Sequence, residues 1–146
     1  MSAAEIWYWY DTTKSWVQNH EKVHVRDWRI AWQHQFAILQ GMLGPVSEST
    51  DPHEQVDCYN EALTLYGMAF RGIVAYVSAM RHADPEDRLM YANPDKPGER
   101  LNRTLRRARQ SFNDAVRKHM ECQEMTFDGS ASQSRFDAIL STFDYR

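Results

Sequence analysis

A stretch of regularly spaced apolar residues between Asp51 and His82 constrains the fold of this chain more than any other feature. Its apolar side chains recur at intervals of three and four residues without a break, the spacing of one face of an α-helix. The residues of this face are Val56, Tyr59, Leu63, Tyr66, Phe70, Ile73, Val77 and Met80. Small residues such as Gly67 and Gly72 lie beside it, where neighbouring helices could approach closely. The sequence therefore predicts a central core helix.

Both ends of this helix carry sequence signals. Asp51 can accept hydrogen bonds from the unpaired amides of the first turn, and Pro52 suits the first helical position because it has no amide hydrogen. At the other end stand Ala83, Asp84 and Pro85. The residue before a proline is disfavoured in the helical conformation, so we expect the helix to end there.

The N-terminal third of the chain is predicted to form two helices. Ser2 and Glu5 have the spacing of a capping box, which places a helix start at Ala3. A break is expected near Arg26, where Asp27 caps a second helix. The apolar face predicted for that helix is Val25, Trp28, Trp32, Phe36, Leu39 and Leu43, and the stop signals are Gly41, Gly44 and Pro45.

A second long helix is predicted from Glu99 to about Met125. Its apolar face is Leu101, Leu105, Ala108, Phe112, Ala115, His119 and Cys122. A short helix at 84–91 and a loop at 93–98 precede it. Ser134 is expected to cap a last short helix that uses Phe136, Ile139, Leu140 and Phe143.

No stretch of five residues alternates in the manner of a β-strand. Residues 1–146 are therefore predicted to form one all-α domain, a helical bundle with four or five major helices. The hydrophobic content of 42% is ordinary for a soluble globular protein. A chain of this length buries about 68–70% of its unfolded surface, which is enough for a core.

The composition favours a soluble protein of the cytoplasm. Cys58 and Cys122 occupy helical positions and are expected to be reduced core thiols, with a single buried disulfide as the alternative. The N-terminus lacks the basic and apolar regions of a signal peptide. The most lipid-like span, 63–80, contains Arg71, and an arginine at mid-membrane costs about 2.5 kcal/mol or more. No membrane association is expected.

Aromatic residues crowd the start of the first helix. The run from Ile6 to Tyr10 is apolar on every side, so a lone helix could not hide it. Packing between other helices is the first interpretation, and docking on another protein is the second. The candidate protein-docking residues are Trp7, Tyr8, Trp9 and Tyr10.

Charge is distributed unevenly along the chain. The segment Glu99–Lys118 carries a net charge of +5, whereas the remaining residues carry −8. Its candidate nucleic-acid-binding residues are Arg100, Arg103, Arg106, Arg107, Arg109, Arg117 and Lys118. The planar guanidinium suits phosphate oxygens, so this face could hold an RNA or single-stranded DNA backbone without reading its sequence. The alternative is ion pairing with acids of a neighbouring helix, such as Glu54, Asp57 and Glu61.

The string from His20 to His24 matches the HExxH motif. Two histidines four residues apart on a helix can bind one zinc ion, with the intervening Glu21 as general base. Lys22 and Arg26 place positive charge beside the expected cation, and no third ligand can be identified. His20 and His24 are therefore metal candidates only, with solvated or core-edge histidines as the alternative, and no cofactor is predicted.

A second pair with chemical potential is His119 and Cys122, three residues apart. A nucleophilic pair needs a third orienting group and an oxyanion site. Neither can be identified, so a core histidine beside a core thiol is expected. The sequence predicts a protein that is not an enzyme.

The chain resembles the small helical subunits of CRISPR ribonucleoprotein effector complexes. The features that carry the resemblance are the overall length, the long apolar helix Asp51–His82 and an outward row of basic residues. That row is Arg100, Arg103, Arg106, Arg107, Arg117 and Lys118. The resemblance implies a non-catalytic protein that stacks along a complex, on other subunits or its own copies, and contacts nucleic-acid backbone.

Two alternative functions remain open. Small helical phage proteins that inhibit host defence systems look similar, so the chain could be a protein-binding inhibitor or adaptor with acidic and aromatic surfaces. The other alternative is a zinc hydrolase built on the HExxH string.

Overall fold

The computed structural model describes residues 2–42, 51–82 and 100–145, which contain four α-helices and no strand. The helices are α1 (Ala3–Met42), α2 (Pro52–His82), α3 (Arg100–Cys122) and α4 (Gly129–Ser141). The most extensive packing is between α2 and α3, while α1 lies on α2 and α4 lies on α3. The predicted all-α class is confirmed. The short helix predicted at 84–91 and the loop at 93–98 lie outside the described residues.

The centre of the molecule is the antiparallel pair α2–α3. Tyr66, Phe70, Ile73 and Val77 of α2 and Phe112 of α3 are fully buried, as their periodicity predicts. Burying a side chain of this size contributes about 1.5–3 kcal/mol. Val56, at the N-terminal end of the apolar face predicted for α2, is exposed and is not part of the core.

The two central helices approach closely at one point. A Cβ atom added to Gly72 would lie 2.8 Å from the Cβ of Ala108, so only hydrogen fits there. The same addition at Gly67, five residues earlier, meets no heavy atom within 4 Å. Of the two glycines, Gly72 therefore sets the distance between α2 and α3, as its place beside the apolar face suggested.

A disulfide joins the first half of α2 to the end of α3. Cys58 and Cys122 are 64 residues apart in sequence, with their Cα atoms 5.8 Å apart. The expectation of two reduced thiols is therefore wrong. The antiparallel arrangement of α2 and α3 explains the pairing, because it brings the start of one helix beside the end of the other.

The first helix is continuous over 40 residues, so the break predicted near Arg26 is wrong. Asp27 lies in mid-helix, fully buried, and does not cap a second helix. Arg81 of α2 donates to both of its carboxylate oxygens, at 3.0 and 2.9 Å, and to the carbonyl oxygen of Phe143 at 2.7 Å. A buried charge needs such a partner. This ion pair ties α1, α2 and the segment after α4 together.

The buried face of α1 differs from the predicted one. Its buried residues are Asp27, Ala31, Ile38 and Met42, whereas the predicted Val25, Trp28, Trp32 and Phe36 are exposed. The small side chain of Ala31 and the ion pair of Asp27 allow α1 to lie against α2. The bulky aromatic face points away from the bundle, which is the reverse of what the apolar pattern predicts.

Two predicted helix starts are confirmed in their hydrogen bonds. The amide of Ser2 donates to the Glu5 carboxylate at 2.6 Å, and the amide of Glu5 donates to the Ser2 hydroxyl at 3.2 Å. This reciprocal pair is a capping box. Asp51 accepts from the amide of His53 at 2.9 Å.

The last helix starts earlier than predicted. Asp128, and not Ser134, is the capping residue, since its Oδ1 accepts from the amides of Ser130 at 2.9 Å and Ala131 at 3.2 Å. An aspartate preceding a run of small residues caps a helix as well as a serine does. The core residues predicted for this helix are confirmed as buried: Phe136, Ile139 and Leu140 lie in the helix, and Phe143 lies just after it.

Among the described residues, one helical span, His53–His82, is long and apolar enough to cross a membrane by length and composition. In the fold this span is the central core helix. Its apolar side chains pack against α1 and α3, and 44% of the span's most apolar window is buried inside the protein. That arrangement is consistent with a soluble protein.

Candidate functional site

The basic residues predicted to bind nucleic acid all lie on α3. Arg103, Arg106 and Arg107 are exposed in the N-terminal half of the helix. Of Arg100 the structure describes the backbone only. We call these three residues the arginine surface; Arg117, nearer the other end of α3, is exposed as well.

Three further basic residues of α3 form ion pairs with acids of the chain. These are Arg109 with Asp137 (3.4 Å), Arg117 with Asp114 (3.7 Å) and Lys118 with Glu61 (3.1 Å). The hydrogen bond that Lys118 donates to the Glu61 carboxylate raises the pKa of Lys118. The guanidinium groups of Arg109 and Arg117 also lie over phenylalanine rings. Lys118 therefore pairs with an acid of the neighbouring helix, which is the alternative predicted from the sequence.

The N-terminal half of α1 is the second candidate site. Every residue from Ser2 to Asn19 is exposed, and we call this stretch the aromatic segment. Its docking candidates Trp7, Tyr8, Trp9 and Tyr10 each expose between 55% and 69% of their surface. In the described part of the chain the segment is not packed between helices, which was the first interpretation of this sequence.

A third site is formed by His20 and His24 of α1 with His82 of α2, which we call the histidine cluster. The Nε2 atom of His20 lies 3.0 Å from the Nε2 atoms of both other residues. One ring nitrogen from each of the three lies within 4.8 Å of the others. The structure thus supplies the third histidine that the motif lacked.

The outer ring nitrogens of the cluster face the last turn of α2. The Nδ1 atom of His82 lies 2.5 Å from the carbonyl oxygen of Ser78, and the Nδ1 atom of His24 lies 3.5 Å from the Ser78 hydroxyl. A carbonyl oxygen can only accept, so Nδ1 of His82 carries the hydrogen. The Nε2 of a neutral His82 then presents a lone pair to His20.

The cluster opens into a cleft of about 530 Å³ between α1, α2 and the C-terminal segment. Trp16 stacks on His20, with ring centroids 5.2 Å apart, and closes one side. Arg81, Asp144 and Tyr145 also line the cleft. Small molecules or water can therefore reach the histidines.

Glu21 does not belong to this cleft. It is exposed and lines a separate surface depression of α1 with Gln18, Lys22 and Arg29. In the described structure the glutamate of the HExxH string therefore faces away from the space that the histidines share. The geometry brings His20 and His24 together with His82 and leaves out the residue expected to act as general base.

The pair His119 and Cys122 has a structural role. Cys122 is part of the disulfide and offers no thiol. His119 is buried, with Nδ1 3.0 Å from the Tyr66 hydroxyl. Burial, together with the positive charge of Arg135, lowers the pKa of His119, and burial raises the pKa of Tyr66 to about 12.

His82 is the residue that sequence reasoning missed. It is separated from His20 by 62 residues and has no motif of its own. Its position in the last turn of α2, close to the predicted helix end, was the available signal. The sequence could not reveal that α1 passes this point with its histidine-bearing face turned inward.

No protein-family model, no curated protein and no solved structure matches this chain. The resemblance to small helical subunits of ribonucleoprotein complexes therefore stays a prediction, based on length, helix pattern and charge.

Proposed function

We propose that this protein is a non-catalytic helical subunit that acts by contact, and that α1 docks on another polypeptide. One observation carries the proposal. All five tryptophans of the chain lie on α1, and each exposes between 46% and 68% of its surface. Tryptophan is rarely left exposed in soluble proteins unless it serves an interface, where it contributes a large share of the binding energy.

The rest of the molecule supports the same conclusion, because its core is complete without these side chains. The largest fully buried apolar residues come from α2, α3 and α4 and the segment that follows: Tyr66, Phe70, Phe112, Phe136 and Phe143. The aromatic segment extends the helix without adding to that core. A single helix with apolar side chains suits an apolar groove on a partner protein.

Site-specific crosslinking tests this proposal. A photo-crosslinking phenylalanine analogue at Trp9 should give a discrete crosslinked species in the native host. The same analogue at Gln110, on the exposed side of α3, should not. Equal yields from the two positions would refute docking through α1. Light scattering of the purified protein then distinguishes a second copy of this chain from a different partner.

The exposure of Arg103, Arg106 and Arg107 favours a second function, contact with a nucleic-acid backbone. The three lie along the N-terminal half of α3, on the side turned away from α2, and can reach successive phosphates. The logarithm of the affinity should then fall linearly with the logarithm of the salt concentration, with a slope of about −2 for three contacts on a single strand.

A matched pair of charge reversals tests this function. The variant R103E/R106E/R107E should abolish binding of a labelled single-stranded RNA at low salt. The control R26E/R29E/R71E changes the net charge equally at exposed arginines elsewhere and should retain binding. Equal loss in both variants would mean that only overall charge matters, and no binding by the wild type would refute this function for the isolated chain.

Two finer predictions depend on these experiments. Membership of a CRISPR-type effector complex requires both the docking and the backbone contact. A cytoplasmic location conflicts with the disulfide Cys58–Cys122, because such bonds are typical of oxidising compartments. Thiol alkylation immediately after lysis of the native host distinguishes a cytoplasmic from an oxidising location. Cysteines that react with the reagent would support the cytoplasm, and cysteines protected by the disulfide would contradict it.

A further inference from the structure

We propose that His20, His24 and His82 bind one divalent transition-metal ion of the zinc type, which joins α1 to the end of α2. The proposal is independent of the docking function above. It rests on the positions of the three rings, on the groups behind them and on the place of the cluster in the fold.

The distances fit a shared ion. In a tetrahedral zinc site with bonds of 2.0–2.1 Å, two ligand nitrogens lie about 3.3 Å apart. In the cluster, Nε2 of His20 lies 3.0 Å from Nε2 of His24 and from Nε2 of His82, and all three ligand atoms fall within 4.8 Å. Small side-chain rotations therefore bring all three nitrogens to bonding distance of one ion.

Hydrogen bonding alone does not satisfy this arrangement. With Nδ1 of His82 donating to the Ser78 carbonyl, Nε2 of a neutral His82 carries only a lone pair. The Nε2 atom of His20 either carries a hydrogen or accepts one, so it cannot form good hydrogen bonds with both neighbours. At most one of the two 3.0 Å contacts is a hydrogen bond between neutral rings. A cation instead accepts three lone pairs at once.

The surroundings of the cluster also favour a cation. Ser78 supplies the outer contacts of two ligands, the arrangement that orients metal-binding histidines. The cluster lies at the C-terminal end of α2, where the helix dipole is negative. The positive charge of Arg81 in the same cleft is balanced by Asp27. Both cysteines are in the disulfide, so no thiolate competes for the metal.

The ligand set indicates which ions fit. Three imidazoles without a carboxylate suit zinc, cobalt, nickel or copper and disfavour magnesium and calcium. The fourth position faces the cleft and is open to water. Because Glu21 lies outside the cleft, we assign the ion the role of holding α1 against α2 just where the aromatic segment ends.

Metal titration of the full-length protein tests the proposal. After chelator treatment without reductant, calorimetry with Zn²⁺ should give one ion per chain, and Co²⁺ should give the visible absorption of four-coordinate cobalt. His20→Ala, His24→Ala and His82→Ala should each weaken Zn²⁺ binding at least about tenfold. Loss of a residue that only contacts a metal ligand already costs at least that much, and loss of the ligand itself should not cost less. His53→Ala, an exposed histidine at the other end of α2, should bind as the wild type does.

His82→Ala is the decisive variant. Retained affinity in His82→Ala, together with loss in His20→Ala, would show an ordinary two-histidine chelate on α1 and overturn the three-histidine site. A stoichiometry well below one would overturn it as well. Thermal melts provide a readout that does not depend on titration: Zn²⁺ should raise the Tm of the wild type and of Glu21→Gln, but not that of His82→Ala. Circular dichroism confirms that each variant is folded.

Discussion

The central pair α2–α3 and the helix α1 all contain many apolar residues, but they differ in whether those residues are buried. The central pair buries its apolar faces, is crosslinked by Cys58–Cys122 and approaches closely at Gly72. α1 buries only a few side chains and exposes its tryptophans. Besides the buried Ala31, Ile38 and Met42, it is held at two polar points, the Asp27–Arg81 ion pair and the histidine cluster.

The difference shows that apolar periodicity predicts a packed face only when a partner surface exists for it. α2 has neighbours on both sides, so its pattern and its burial agree. Among the described residues, α1 has a neighbour along one face only, and there the polar residues Asp27 and His24 take part in the contact. Its aromatic face is exposed, as the proposed docking of α1 requires.

Loss of the disulfide should destabilise the central pair most. The variant Cys58→Ser/Cys122→Ser releases a loop of 64 residues, which in the chain-entropy model costs about 4 kcal/mol. Urea unfolding of the variant and of the wild type measures the difference. If the free energy of unfolding changes by less than a quarter of that figure, the central pair owes little to its crosslink.

Asp27→Ala should detach α1 from the body. Removing one partner of a buried ion pair costs about 3–5 kcal/mol, and we expect the lower end because Arg81 keeps the carbonyl oxygen of Phe143 as a partner. Hydrogen exchange should show faster opening of α1 than of α2. The double variant Asp27→Ala/Arg81→Met leaves no uncompensated charge and should recover part of the loss. Equal effects on all helices would contradict a separate anchor for α1.

Gly72→Ala should destabilise the protein, whereas Gly67→Ala should stabilise it. At Gly72 the added methyl group meets Ala108, and overpacking costs about 1–3 kcal/mol, offset in part by the better helix propensity of alanine. At Gly67 there is space, so the propensity gain of about 0.5–1 kcal/mol remains. Chemical unfolding of both variants gives the comparison, and two changes of equal sign would be inconsistent with a close approach at Gly72.

Acidification should weaken the packed part of the molecule. Burial lowers the pKa of His34 and of His119, so below the usual value of about 6.5 the unfolded chain binds more protons than the folded one. Stability is therefore full above that pH and falls as the pH decreases through it. Unfolding curves at neutral and mildly acidic pH measure the loss, and His119→Gln should reduce it. If His119→Gln loses as much stability at mildly acidic pH as the wild type does, His119 is not a source of that loss.

Substitutions in the aromatic segment should have the smallest effect on stability. Trp9→Ala removes a large side chain that packs against nothing in the core, so the free energy of unfolding should change by less than about 0.5 kcal/mol. The same change at Phe112 should cost about 3–5 kcal/mol. Thermal melts measure both. A large loss at Trp9 would place the segment inside the folded unit and remove the contrast between the two regions.

Local patterns predicted the parts of the fold that depend on local interactions. The capping box at Ser2, the cap at Asp51 and the faces of α2 and α3 follow from neighbours within a few residues along a helix. Of the candidate sites, the exposed arginines could be identified in the same way, because a basic helix with one apolar face has one outward side. The histidine pair four residues apart was visible, but its third member was not.

The helical class, the central core helix and the identity of the residues that could carry function can all be predicted from the amino-acid pattern. Which of those residues contact one another depends on how the helices pack. Cys58 with Cys122, Asp27 with Arg81, and His20 with His82 are each separated by more than fifty residues. Their meeting depends on how whole helices are placed, and that placement results from the packing of all the faces at once. No single stretch of sequence contains that information.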